Sequence, residues 1–179
     1  MDLGSSTQYS ASQSAEAMGF LAMAGFDTNQ ILSALPGTLS LAAAGDMDLA
    51  KSADIASNIM TGMGIEAERM QEVADKMAMA FTSSNVDLRM LGESFKYAGP
   101  LVQAAGIGFE EAAATIGLLG NAGIQGSQGG TALRGGLARL LNPTKAVTDS
   151  LEEMGLSLDQ FVTDEGKLNP MVDMLRALE

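Results

Sequence analysis

The chain contains no cysteine, no histidine and no tryptophan. Without cysteine there is no disulfide framework and no thiolate nucleophile. Without histidine there is no imidazole proton shuttle, and the Cys/His metal centres are out of reach. The redox compartment therefore leaves no trace in the sequence. Cations are scarce as well: ten Lys+Arg stand against 22 Asp+Glu, a net charge of −12. A field of that sign repels phosphates and anionic lipid and supplies none of the counterion release that drives general nucleic-acid binding. No specific nucleic-acid partner is expected. The only local cationic cluster is Arg134, Arg139 and Lys145.

Secretion through a signal peptide is not expected from the opening residues either. Met1 to Ser14 is polar, charged only at Asp2, and lacks the basic flank and apolar stretch of a secretory signal. The longest uncharged stretch, Ala112 to Leu133, would be long enough to cross a bilayer, but it is interrupted by Asn121, Gln125, Ser127, Gln128 and repeated glycines. It reads as two helices and a loop.

What is present is material for a helical core. The chain has 179 residues, 46% hydrophobic and 18% charged, a balance that supports a sizeable buried interior. Apolar residues recur at helical spacing, as in Met70, Val73, Ala74, Met77, Ala80 and Phe81, and again in Leu133, Leu137, Leu140 and Leu141. Breaks at Gly25, Gly45, Gly64, Asn85, Gly106 and Gly126 fall roughly every 20 residues, suiting helices of about three to four turns with short connections. At Gly25 and Gly45 the glycine stands where a helix can end in a left-handed residue, with capping residues Asp27, Thr28 and Asp46 close behind. Asn85 or Asp87 caps the next start, Asn142-Pro143 and Asn169-Pro170 read as Asn caps followed by Pro at the first helical position, and Gly99-Pro100 reads as a further break.

These features predict an all-α fold, a compact multi-helix bundle of short helices with Gly/Pro breaks. The Ala-Gly-x-acid theme of Ala24–Asp27 and Ala44–Asp46 is too loose for a repeat array, and a bundle is expected instead. Residues 1–155 form the expected helical core domain. Over 156–179 the character shifts: Phe161-Val162, the turn residues Thr163 to Gly166 and Lys167-Leu168 could form a small β-hairpin near 160–168 before a final helix. That helix, Met171 to Ala177, reaches the chain end uncapped, as expected of a fragment of a longer native protein.

No motif carries catalytic chemistry. Gly123 to Thr131 lacks the Lys-Ser/Thr ending of a phosphate loop and has no strand before it, so it reads as a flexible interhelix loop. Glu110 and Glu111 sit at a helix start near Phe109, where the dipole favours negative charge. Nothing singles out a facing carboxylate pair. Met60, Met63, Met70, Met77 and Met79 could line an adaptable protein-binding groove, but their helical spacing favours core packing. Ala113, Gly117, Gly120 and Gly123 form a small-residue face for close helix packing. Expected catalytic, cofactor and metal residues are none.

Several segments taken in order resemble the conserved core of phage tail tape measure proteins: Tyr9 to Met18, Ala24 to Ile31, Ala34 to Gly37, Leu41 to Gly45, Ala53 to Ala56, Leu91 to Pro100, Asn121 to Arg134 and Asn142 to Thr144. The resemblance runs from about Leu3 to the chain's end. It implies a non-enzymatic virion component that occupies the lumen of the tail tube, sets tail length during assembly in the host cytoplasm, and leaves with the DNA at injection. It also implies tail-tube and baseplate proteins, tail assembly chaperones and further copies of itself as partners, and no cofactor. The resemblance assigns no ligand to Gly123–Arg134. Membrane contact during DNA delivery is a second reading, and a carboxylate-based cell-wall hydrolase a third. Physics narrows the first: even as one continuous helix this chain would reach only about 270 Å. Its glycines and prolines speak against such a rod, so a globular packing or docking module is expected, with the length-setting part elsewhere.

Overall fold

The computed structural model describes residues 9–163, 165–170 and 173–174. Among these are eight α-helices and no strand: α1 (Ala11–Met23), α2 (Thr28–Ala44), α3 (Leu49–Met63), α4 (Met70–Ser83), α5 (Leu88–Ala104), α6 (Phe109–Asn121), α7 (Gly126–Leu141) and α8 (Lys145–Glu153). The fold is all-α, as the periodicity predicts. The final helix expected over Met171 to Ala177 lies outside the described residues, apart from Asp173 and Met174. The hairpin expected near 160–168 takes the form of a single antiparallel bridge between Val162 and Leu168, with Thr163 N–H donating to the Lys167 carbonyl at 2.7 Å.

One turn chemistry recurs along the chain. At six helix ends the backbone N–H of an apolar residue reaches back five positions to a carbonyl of the last turn: Phe26 to Leu21, Met47 to Ala42, Ile65 to Met60, Ile107 to Val102, Ile124 to Leu119 and Leu156 to Leu151, at 2.8–3.1 Å. This is the bond that closes a helix through a left-handed residue. Gly25, Gly64, Gly106, Gly123 and Gly155 supply that residue. At the remaining turn the expectation fails. Gly45 has φ −87° and Asp46 takes the left-handed conformation at φ 45°. Gly45 is needed for space: a Cβ there would lie 2.9 Å from Leu88 Cδ2.

Helix starts follow where a short polar side chain is available. Ser10 and Asp27 form reciprocal capping boxes with Gln13 and Gln30, and Asp48 and Asp87 accept from the backbone of Lys51 and Met90. Asn142 is not a start: it ends α7, and Thr144 precedes α8. Nor does Gly99-Pro100 break the chain. Pro36 and Pro100 both lie inside helices, α2 and α5, with their rings in solvent. The carbonyls that lose a donor, those of Leu32 and Lys96, belong to exposed residues on the same side as the proline rings.

The helices stack in two layers. The most extensive contacts join next-nearest helices, α1 to α3, α3 to α5 and α5 to α7 in one layer and α2 to α4 in the other, where α4 also meets α6. Paired contacts show α3 and α5 running parallel, since Gly92 faces Ile55 and Gly99 faces Met63. The core between the layers holds Leu35, Leu41, Met60, Met70, Met77, Leu88, Leu91 and Ile116. Phe95 stacks on Phe109 with ring centroids 5.2 Å apart. Met60, Met63, Met70 and Met77 are core residues, whereas Met79 is 69% exposed.

Candidate functional site

The stretch from Asn121 to Arg134 is the most distinctive in the sequence, and the structure gives it a mechanical role. Only residues 122–125 form a loop; Gly126 to Thr131 are the first turns of α7, so the flexible interhelix loop expected over Gly123–Thr131 is mostly helix. The glycines explain the close α5–α7 contact. A Cβ on Gly130 would lie 2.3 Å from the Ser94 carbonyl oxygen and 2.8 Å from its Cα. Such distances leave room for hydrogen alone, so the two backbones touch. Ser94, fully buried, donates its hydroxyl to the Gly126 carbonyl at 2.7 Å.

The same motif holds the neighbouring turn. Asn121 Oδ1 accepts from the Asn85 N–H at 2.7 Å, and Gln125 Nε2 donates to the Asn85 carbonyl and, at 3.5 Å, to that of Gly120. Both backbone groups of Asn85, at the α4–α5 connection, are thus satisfied by amide side chains from the α6–α7 connection. The small-residue face of α6 packs on that same connection. Cβ atoms on Gly117 and Gly120 would approach Ser84 Oγ at 2.9 Å and Val86 Cγ1 at 2.3 Å, whereas Gly123 has open space and is set by its φ of 84°. A phosphate is a poor fit at the start of α7. The Glu93 carboxylate stands against Gly126, 2.7 Å from where a Cβ would be, and would repel an anion.

Two further clefts and a charged cluster lie elsewhere on the surface. A cleft of about 640 Å³ between α3 and α5 is lined by Asp54, Ile55, Arg89, Glu93, Lys96 and Pro100, charges of both signs over an apolar floor. A second, of about 420 Å³, lies beside Gly64, Arg69, Glu72, Lys76, Gln103 and Glu110. Here Arg69 grips Glu72 through two hydrogen bonds of 2.8 Å, and Lys76 reaches Glu72 at 2.7 Å and Glu110 at 3.1 Å. The hydrogen bonds from Arg69 first, then from Lys76, hold the Glu72 carboxyl down at about 2. Arg69 and Lys76 are raised in turn, chiefly by their bonds to Glu72. Glu110 thus helps tie α6 to α4, beyond its favourable place at a helix start. The cations Arg134, Arg139 and Lys145 are exposed and form no ion pair among the described residues. Among those residues no group of carboxylates is arranged to hold a metal ion, and no helix is long and apolar enough to cross a membrane.

The Asn121–Arg134 junction is therefore a structural clamp between helix pairs. Comparison with known proteins assigns the chain that carries it. The phage-related minor tail protein family matches over residues 1–179. The chain belongs to that family. It is 39% identical over 179 residues, all of its own length, to the tape measure protein of Pneumococcus phage Dp-1. It is 29% identical over 177 residues to the probable tape measure protein of Escherichia phage P2. The chain spans 15% and 21% of the lengths of these two relatives. No solved structure matches it. This minor tail protein segment therefore corresponds to a small part of proteins many times its size. The sequence-level motifs that carried the resemblance are, in the structure, mainly turns and close helix contacts.

Proposed function

We propose that this segment is the folded packing and docking module of a phage or prophage tape measure protein, acting in tail assembly and not itself spanning the measured length. The observation that carries the reading is the match to tape measure proteins combined with the way the chain folds. Its longest helices have 17 residues, about 26 Å each, and they double back on one another in two layers. A ruler needs extended helices, which belong elsewhere in a protein of the relatives' size.

In this reading the module works in the lumen of the tail tube after assembly in the host cytoplasm, and it leaves with the DNA at injection. Residues 1–155 serve as its helical core domain and 156–179 as an appended segment. Its partners are tail-tube and baseplate proteins, tail assembly chaperones and further copies of itself. It performs no catalysis: the residues that stand out do so for packing. Neither the membrane nor the hydrolase reading has an observation in its favour. The test is association. Purified chain is expected to form oligomers by light scattering or to be retained by immobilised tail-tube protein or assembly chaperone. A monomer that binds neither, yet releases fragments from cell-wall substrate, would overturn the proposal.

A further inference from the structure

The inference below rests on the self-association in that reading and names the surfaces that carry it. The layer α1–α3–α5–α7 has two open edges. Inner helices are buried on two sides: α3 buries nine of its fifteen residues. At the edges, α1 buries only Ser14, Ala17 and Leu21 of thirteen, and α7 only Gly126, Gly129, Gly130, Leu133 and Leu137 of sixteen. Opposite those stripes α1 presents Ser12, Ala15, Glu16, Gly19 and Met23, and α7 presents Gln128, Ala132, Gly135 and Arg139. Gly19 and Gly135 meet nothing within 4 Å, so neither the fold's interior nor a left-handed turn accounts for them.

The two edge helices differ in the sign of their charge: α1 carries Glu16 and no cation, α7 carries Arg134 and Arg139 and no acid. The first 50 residues contain five acids and no Lys or Arg. Between Ala112 and Thr148 there is no acid, and Arg134, Arg139 and Lys145 all fall in that interval. We propose that the α7 edge of one copy docks on the α1 edge of a second copy, continuing the layer head to tail.

The layer's own register places the contact. Ile55, seventh in α3, faces Gly92, fifth in α5; Ser94, seventh in α5, faces Gly130, fifth in α7. With Gly99, twelfth in α5, against Met63, fifteenth in α3, each step therefore shifts the pairing by two or three positions. Carried one step further, Gly135, tenth in α7, falls at the seventh or eighth position of the partner's α1, Ala17 or Met18, within two residues of Gly19. The same shift of two or three brings Arg134, ninth in α7, level with Ala17 or Glu16. Gly135 and Gly19 then stand one to two residues apart along the contact, and the missing side chains let the two backbones approach there, as they do at Gly130 and Ser94. Because the two faces differ, the contact is heterologous, and it propagates into a ring or a filament.

The absence of cysteine makes the test clean. Gly19→Cys and Gly135→Cys are each prepared alone, both at open positions, and their folding is checked by circular dichroism. Under mild oxidation a mixture of the two is expected to give the crossed disulfide dimer in excess over either same-site dimer. Arg134→Glu with Arg139→Glu in the Gly135→Cys chain is expected to lower its yield about tenfold, and added salt to lower it in the parent pair. Same-site dimers in excess, with oligomers by light scattering, would overturn the head-to-tail contact and leave self-association standing. Monomers throughout, with no crossed disulfide, would overturn both.

Discussion

At the scale of single residues, the glycines divide by what each one permits. Gly130 permits contact: Gly130→Ala pushes a methyl into the Ser94 backbone, which cannot retreat as a side chain can. The variant is expected to lose about 1–3 kcal/mol or more of stability in urea denaturation. Gly135, on the same helix in open space, is the counterpart: Gly135→Ala is expected to gain about 0.5–1 kcal/mol in the same measurement. In sequence the two look alike, because a glycine that admits another backbone and one that faces solvent carry the same letter. The left-handed glycines were more legible, since Gly25, Gly64 and Gly106 each precede an apolar residue and a break in periodicity. Gly45 misled because the left-handed residue is its neighbour Asp46. Glu72 gives a pH-dependent test. Its carboxyl is held at about 2 against about 4.3 in an unfolded chain, so the stabilisation is fully present above about pH 4.3 and fades as pH falls toward 2. Glu72→Gln is expected to lower the urea midpoint at neutral pH, with the gap to the parent closing over that acid range.

At the scale of elements, the fold depends on how helix ends are finished and how next-nearest helices touch. Asp87 caps α5 through the Met90 N–H at 2.7 Å, and Asp87→Ala is expected to cost about 0.5–2 kcal/mol by thermal or chemical denaturation. Ser94→Ala removes the hydroxyl bond to the Gly126 carbonyl and is expected to cost about 0.5–1.5 kcal/mol in the same assay, loosening the α5–α7 pair. Helix positions could be read from periodicity and punctuation: Ala112–Leu133 does resolve into the end of α6, a short loop and the start of α7. The pairing of α5 with α7 could not, because no local pattern encodes which helices meet across 30 or more residues. The prolines failed as breakers for a related reason. Whether Pro36 and Pro100 end a helix depends on which side faces water, and that is a tertiary property.

At the scale of the whole molecule, the two-layer stack of short helices is the basis for the proposed separation of a folded module from the measuring part. In the proposed function, a segment that spans 15% and 21% of its tape measure relatives contributes a compact body and leaves tail length to extended helices outside it. The motif Asn121–Arg134, recognisable in sequence, proves to knit two helix connections together, so its candidate role is structural. The most direct measurement is tail length by electron microscopy in a phage whose tape measure gene lacks only this segment. Loss of assembled tails, with any that form keeping the parental length, is the predicted result. Normal numbers of tails uniformly shorter by about 270 Å, the reach of 179 residues as one helix, would contradict it.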